Sequence, residues 1–171
     1  MIDISKIINP EAKAFINQFL KDREINKEFY KRVPEDKFDF RMVDTPKRKS
    51  DSPRKSLAHQ IDTTRDYING VKTGTLQFGV KYDDLVEPLR LSRDELLAKL
   101  EESEKELIEV LSDSGIGNKK VKVPWSQEAI PAVSSLWGLD SHEILHAGWN
   151  LAIMDHLGIE RFPALQQMWG K

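Results

Sequence analysis

The 171-residue chain contains no cysteine. That absence removes disulfides, thiolate ligands and cysteine nucleophiles together, so any metal must be held by nitrogen and oxygen, and it suits a reducing compartment. No apolar run approaches the ~20 residues that span a bilayer. The stretch Met1-Ile2-Asp3-Ile4-Ser5-Lys6 also lacks the basic and apolar regions of a signal peptide, so a cytoplasmic location is expected. Nor is there an excess of positive charge: 26 Lys and Arg against 28 Asp and Glu leave a net −2. The chain as a whole has no electrostatic reason to bind nucleic acid or an anionic membrane. Its one basic stretch, Lys47-Arg48-Lys49 continuing to Arg54-Lys55, has no aromatic residues between the charges on which bases would stack, and reads as a solvated loop. Internal repeats, glycine-rich nucleotide loops and the G-x-S-x-G elbow are missing too. What is present, 39% hydrophobic and 32% charged residues, matches one globular domain over residues 1–171 with a proper core.

Helix signals are plentiful. Asn9-Pro10 is an N-cap followed by proline at the first helical position, and it opens a helix expected to reach about Val33, where Pro34 forces the chain out. Ile16, Phe19, Leu20, Arg23, Ile25, Phe29 and Tyr30 recur along it at roughly helical intervals. After a crossing loop, Ser52-Pro53 repeats the start signal for a helix with Leu57, Ile61, Thr64 and Ile68 on its apolar stripe and a stop at Asn69-Gly70. Ser92 and Glu95 form a capping box with Leu91 and Leu96 as its staple, and the long helix that follows should end at Gly115. A brief extended piece is expected at Val121-Lys122-Val123. A fourth helix runs from Ala132 to Leu157, closed by Gly158, and a short one starts at Pro163. The fourth is apolar on nearly every side, which predicts a buried helix. Four long helices with almost no strand signal predict an all-α fold, a four-helix bundle.

The chemistry concentrates in the fourth helix. Residues four apart stand one turn above each other, so His142 and His146 can address one metal ion, for which neutral imidazole is the commonest protein ligand. His59 lies some 180° from the apolar stripe of its helix, and periodicity alone puts it in water. His156 is about 15 Å along the helix from His146, too far to share a metal, and reads as a cavity or surface histidine. His142-Glu143-Ile144-Leu145-His146 also satisfies H-E-x-x-H, in which zinc proteases use the glutamate as general base. The context fails. The longer protease pattern needs glycine at 149 and histidine at 152, where this chain has Trp149 and Ala152, and the only downstream glutamate is Glu160, beyond a helix break. Glu143 then reads as a bystander, a surface or supporting carboxylate. Asp62 and Asp66, on the helix that carries His59, are placed to orient an imidazole but are expected to face solvent. Trp125, Trp137 and Trp169 are expected in the core, while Trp149, one turn from His146, is the best residue to wall a pocket.

Leu57-Ala58-His59-Gln60-Ile61-Asp62 with Tyr67 and Gly70, then His142-x3-His146-x-Gly148 and Leu157-Gly158, resembles the DinB/YfiT-like superfamily of metal-dependent enzymes, which is unrelated to the DNA polymerase of that name. The resemblance covers nearly the whole chain in helix order. It implies an up-down-down-up bundle, commonly a homodimer, with a divalent metal, zinc or nickel, held by His59, His142 and His146. Trp149 stands where the family often has glutamine, and Ala147 where it has arginine. Three protein ligands leave a coordination position open, as catalytic sites do. Two chemistries follow: hydrolysis by a water brought to a pKa near ~7, or S-transfer from a low-molecular-weight thiol, which the likeness to bacillithiol and mycothiol transferases implies. The non-enzymatic alternative is a metal that only cross-links two helices, or an interaction module.

Overall fold

The computed structural model describes residues 3–170 and shows five α-helices and one two-stranded sheet. Helix α1 spans Pro10–Arg32, with Asn9 Oδ1 accepting from the Ala12 N–H at 2.9 Å. Helix α2 spans Pro53–Thr73, capped by Ser52. It runs through Gly70 and stops at Gly74, whose φ of 80° suits glycine. Gly70 is therefore no stop signal. A Cβ there would lie 3.1 Å from the Leu76 backbone, so glycine serves the close return of the chain over the helix. Helix α3, Arg93–Leu111, carries the reciprocal Ser92–Glu95 capping box. It ends at Leu111, where the Ser112 N–H bonds back to the Ile108 carbonyl, four residues ahead of Gly115. Strands β1 (Lys120–Val121) and β2 (Ile130–Pro131) pair antiparallel, with Val121 opposite Ile130. Helix α4 is Ala132–Leu157, closed by Gly158 at φ 67°, and α5 is Pro163–Trp169.

Side-chain pairs give the helix directions. Ser134 meets Glu11, Glu143 meets Arg23 and Asn150 meets Asn26, so α4 runs parallel to α1. Tyr30 meets Gln60 and Arg23 meets Thr64, so α2 runs antiparallel to α1, and Lys27 meeting Glu104 and Lys31 meeting Arg93 set α3 antiparallel as well. The order is up-down-down-up.

Two apolar clusters fill the bundle. One gathers Phe15, Ile16, Phe19, Ile68, Leu107 and Leu136, the other Phe29, Tyr30, Leu57, Ile61, Leu96 and Ile153. Burial of each such side chain contributes about 1.5–3 kcal/mol. Between them lies a polar belt: Asp22, Arg23 and Asn26 of α1, Gln60 and Thr64 of α2, Glu104 of α3, Asp140 and Glu143 of α4, all buried.

The belt reverses the polarity expected of α4. Asp140 and Glu143 point inward, whereas Asp155, Trp137, Ile144 and Leu145 are exposed, Leu145 by 72%. The helix is not buried all round; its apolar character is shared between the core and an outer face whose one carboxylate is Asp155. Trp125 and Trp169 are exposed as well, contrary to the expected core placement. Trp125 stacks on exposed Phe78 at 6.2 Å, and Trp137 sets its edge against Phe15 at 5.6 Å.

Candidate metal centre

Because α2 and α4 are antiparallel, the second turn of α2 faces the middle of α4, and His59 meets the His142–His146 pair there. His142 Nε2 lies 3.1 Å from His59 Nε2 and 3.2 Å from His146 Nε2. All three ligand nitrogens fall within 4.8 Å of one another. A tetrahedral ion with Zn–N bonds of ~2.0–2.1 Å sets its nitrogens roughly 3.3–3.4 Å apart, close to these separations.

The electrostatics suit a cation. Burial, with His59 and Arg23 adding to it, pushes His142 down to about 4; burial, then His142 and His59, pushes His146 down to about 3. Both imidazoles are therefore neutral at pH 7 and keep a lone pair free. Ser56 Oγ sits 2.7 Å from His146 Nδ1. By engaging that nitrogen, the hydroxyl leaves Nε2 to the cluster and fixes the ring. Three imidazole nitrogens from two helices converge on one point at the spacing of metal ligands, so the donor set fits a metal.

His59 is exposed, as its periodicity predicts, and still takes part in the cluster. The site lies at the mouth of the α2–α4 groove, where an exposed face is also a ligand face. Above the nitrogens opens a cavity of about 380 Å³ lined by Asp51, Ser56, Leu145 and Trp149 as well as the histidines. Trp149 thus takes the wall position expected of it.

No protein-family model matches the sequence, and no curated protein matches it. A solved structure does: the DinB-like protein YjoA of Bacillus subtilis superposes with a TM-score of 0.63, covering 88% of this chain and 95% of that one at 15% identity. The fold is DinB-like. The likeness carries the architecture and the helix order, and leaves the residue roles to be argued from this chain's own geometry.

Within the DinB-like bundle, Glu143 is not a bystander. One residue on from His142, it is turned into the polar belt and fully buried. Arg23 Nη2 donates to its Oε1 at 2.8 Å, while Asn26 and Gln60 donate to Oε2 at 3.0 and 2.7 Å. It does not line the cavity, so it cannot serve as the base of a zinc protease there. Arg23, on the apolar rhythm of α1, was the signal: a charge at a core position needs an interior partner. Asp66 is buried and accepts from Tyr82 Oη and the Gly79 N–H, contrary to the solvent-facing expectation. Asp62, half-buried beside Asp66, is pushed up by burial to about 6. Among the described residues neither aspartate hydrogen-bonds to a histidine. His156 is exposed and stacked on Phe40 at 5.2 Å, apart from the cluster.

Proposed function

We propose that this chain is a metal-dependent enzyme holding zinc or nickel through His59, His142 and His146, and that it transfers the sulfur of a small thiol to an electrophile. The observation that supports this reading is the convergence of three Nε2 atoms, two of the separations being 3.1 and 3.2 Å, beneath a solvent-facing cavity. A purely structural metal would have a fourth protein ligand closing it off. Among the described residues the cluster holds three histidines and no further candidate ligand.

A divalent ion held there supplies Lewis acidity, lowering the pKa of a thiol or water that takes its open position. The protein's own residues do the rest. Ser56 holds the His146 ring, so one of the ligands is oriented before any ligand enters. Leu145 and Trp149 give the cavity an apolar side that reduces water around the reacting groups. In the transfer, the thiol releases its proton to solvent, its sulfur bonds to an electrophilic carbon, and the leaving group departs with the bonding pair. Water in place of the thiol would make the same site hydrolytic.

The test is metal content. Protein purified in zinc- and nickel-replete medium should carry one ion per chain, and His59→Ala and His142→Ala should each lose it. Folded wild type with no stoichiometric metal overturns the reading. Metal without turnover of any thiol–electrophile or ester substrate favours the helix cross-link instead.

A further inference from the structure

The cavity has a charge pattern of its own. Its lining contains no lysine and no arginine; the one charged side chain is Asp51, at the residue before the α2 cap. Two of the cations near Asp51 in sequence are engaged elsewhere, and Lys47, Arg48 and Lys55 do not line the cavity. Lys49 pairs with Asp44 at 3.2 Å and Arg54 with Asp39 at 2.9 Å. Asp51 itself has no hydrogen-bond or ion-pair partner among the described residues, and it is exposed at the cavity wall. Trp149 and Leu145 line the same cavity from α4, and a tryptophan sharing a cavity with a lone carboxylate is the pair of features that draws an organic cation: one supplies an aromatic surface, the other the counter-charge.

We propose that this cavity selects a substrate with an apolar body and a positively charged group, an alkyl- or arylammonium, with Asp51 as its counter-ion and Trp149 and Leu145 as its apolar wall. The inference rests on the reading of the histidine cluster as a substrate site and narrows it. An anionic co-substrate would meet a carboxylate at the wall and no basic residue to offset it. A molecule with a donor atom at one end and an ammonium group at the other fits both the histidines and Asp51.

The probes are phenyltrimethylammonium, which has no lone pair to offer a metal, and benzenesulfonate, its anionic counterpart. Each is titrated calorimetrically into the full chain, zinc-loaded and after chelation. The cation should bind at least about five- to tenfold more tightly than the anion to the chelated protein. Asp51→Asn should remove most of that preference and Asp51→Lys should reverse it, with both variants keeping the wild-type melting temperature because position 51 is exposed. Equal binding of the two probes, or a preference that survives Asp51→Asn, overturns the inference. Failure of the histidines to bind zinc overturns the metal reading alone, since the comparison on chelated protein does not depend on it.

Discussion

Replacing Glu143 separates two roles that the H-E-x-x-H string confuses. In the structure its carboxylate and the Arg23 guanidinium are both fully buried, 2.8 Å apart. Removing one member of such a pair strands the other charge away from water, at a cost of about 3–5 kcal/mol. Asn26 and Gln60 lose their acceptor at the same time. A domain of this size has a total stability of roughly 5–15 kcal/mol. Glu143→Ala should therefore remove a large fraction of it and lower the melting temperature by about 6–20 °C, taking ~2–4 °C per kcal/mol for 150–250 residues. Glu143→Gln should also destabilise, because the Arg23 charge stays unpaired. The double variant Arg23→Met/Glu143→Leu should recover about 0.5–3 kcal/mol relative to the sum of the single changes, the range for residues in contact. Urea unfolding measures the free energies, and zinc content measured well below the melting temperature reports the site. The folded fraction of Glu143→Gln should still carry zinc, because the carboxylate is not a ligand. The reasoning is refuted if Glu143→Gln is as stable as wild type yet inactive, for that is how a general base facing the cavity would behave.

Further outcomes concern the residues around the site. Ser56→Ala, which frees His146 Nδ1, should weaken zinc binding about 10–100-fold with little change in fold, as a competition titration against a chromophoric chelator would show. In the metal-free protein, His142 and His146 have folded pKa values of about 4 and about 3, below the ordinary 6.5. The stability that goes with their remaining neutral is present above about pH 6.5 and is lost as pH falls through 4 to 3. Asp140 runs the other way: burial, with Asp22 beside it, raises it to about 7, so its contribution is full below about pH 4 and lost as pH rises through 7. Asp140→Asn should then gain on wild type steadily between pH 4 and 7.5 in urea titrations. The homodimer implied by the family resemblance should sediment as two chains, and Leu145→Glu on the exposed face of α4 should sediment as one.

Much of the fold was written in local signals. Asn9-Pro10, Ser52-Pro53 and the Ser92–Glu95 box each open the expected helix, because a cap acts over three or four residues and is visible at that range. The helix ends were harder. Gly70 looks like a stop but is a contact, and its reason, Leu76, belongs to the chain's return rather than to the helix. The spacing of His142 and His146 was legible for the same local reason as the caps. His59 was not legible from periodicity, since its apposition to α4 is a tertiary fact across 83 residues. The polar belt was the least visible part. Glu143 finds Arg23 120 residues away, so no window along α4 distinguishes an inward carboxylate from a wet one. Arg23 among Phe19, Ile25 and Phe29 was the one local hint.

Leu145 occupies two surfaces at once. It borders the cavity over the histidines, and it is the most exposed large apolar side chain on α4. A single side chain cannot be covered twice without the two covers meeting. A second helix laid along α4 would therefore stand beside whatever occupies the cavity, and assembly through that face would be thermodynamically linked to ligand binding, each changing the other by the same free energy. The affinity of a cavity ligand should then vary with protein concentration, and the sign of that variation would tell whether the neighbouring molecule narrows the entrance or completes the wall.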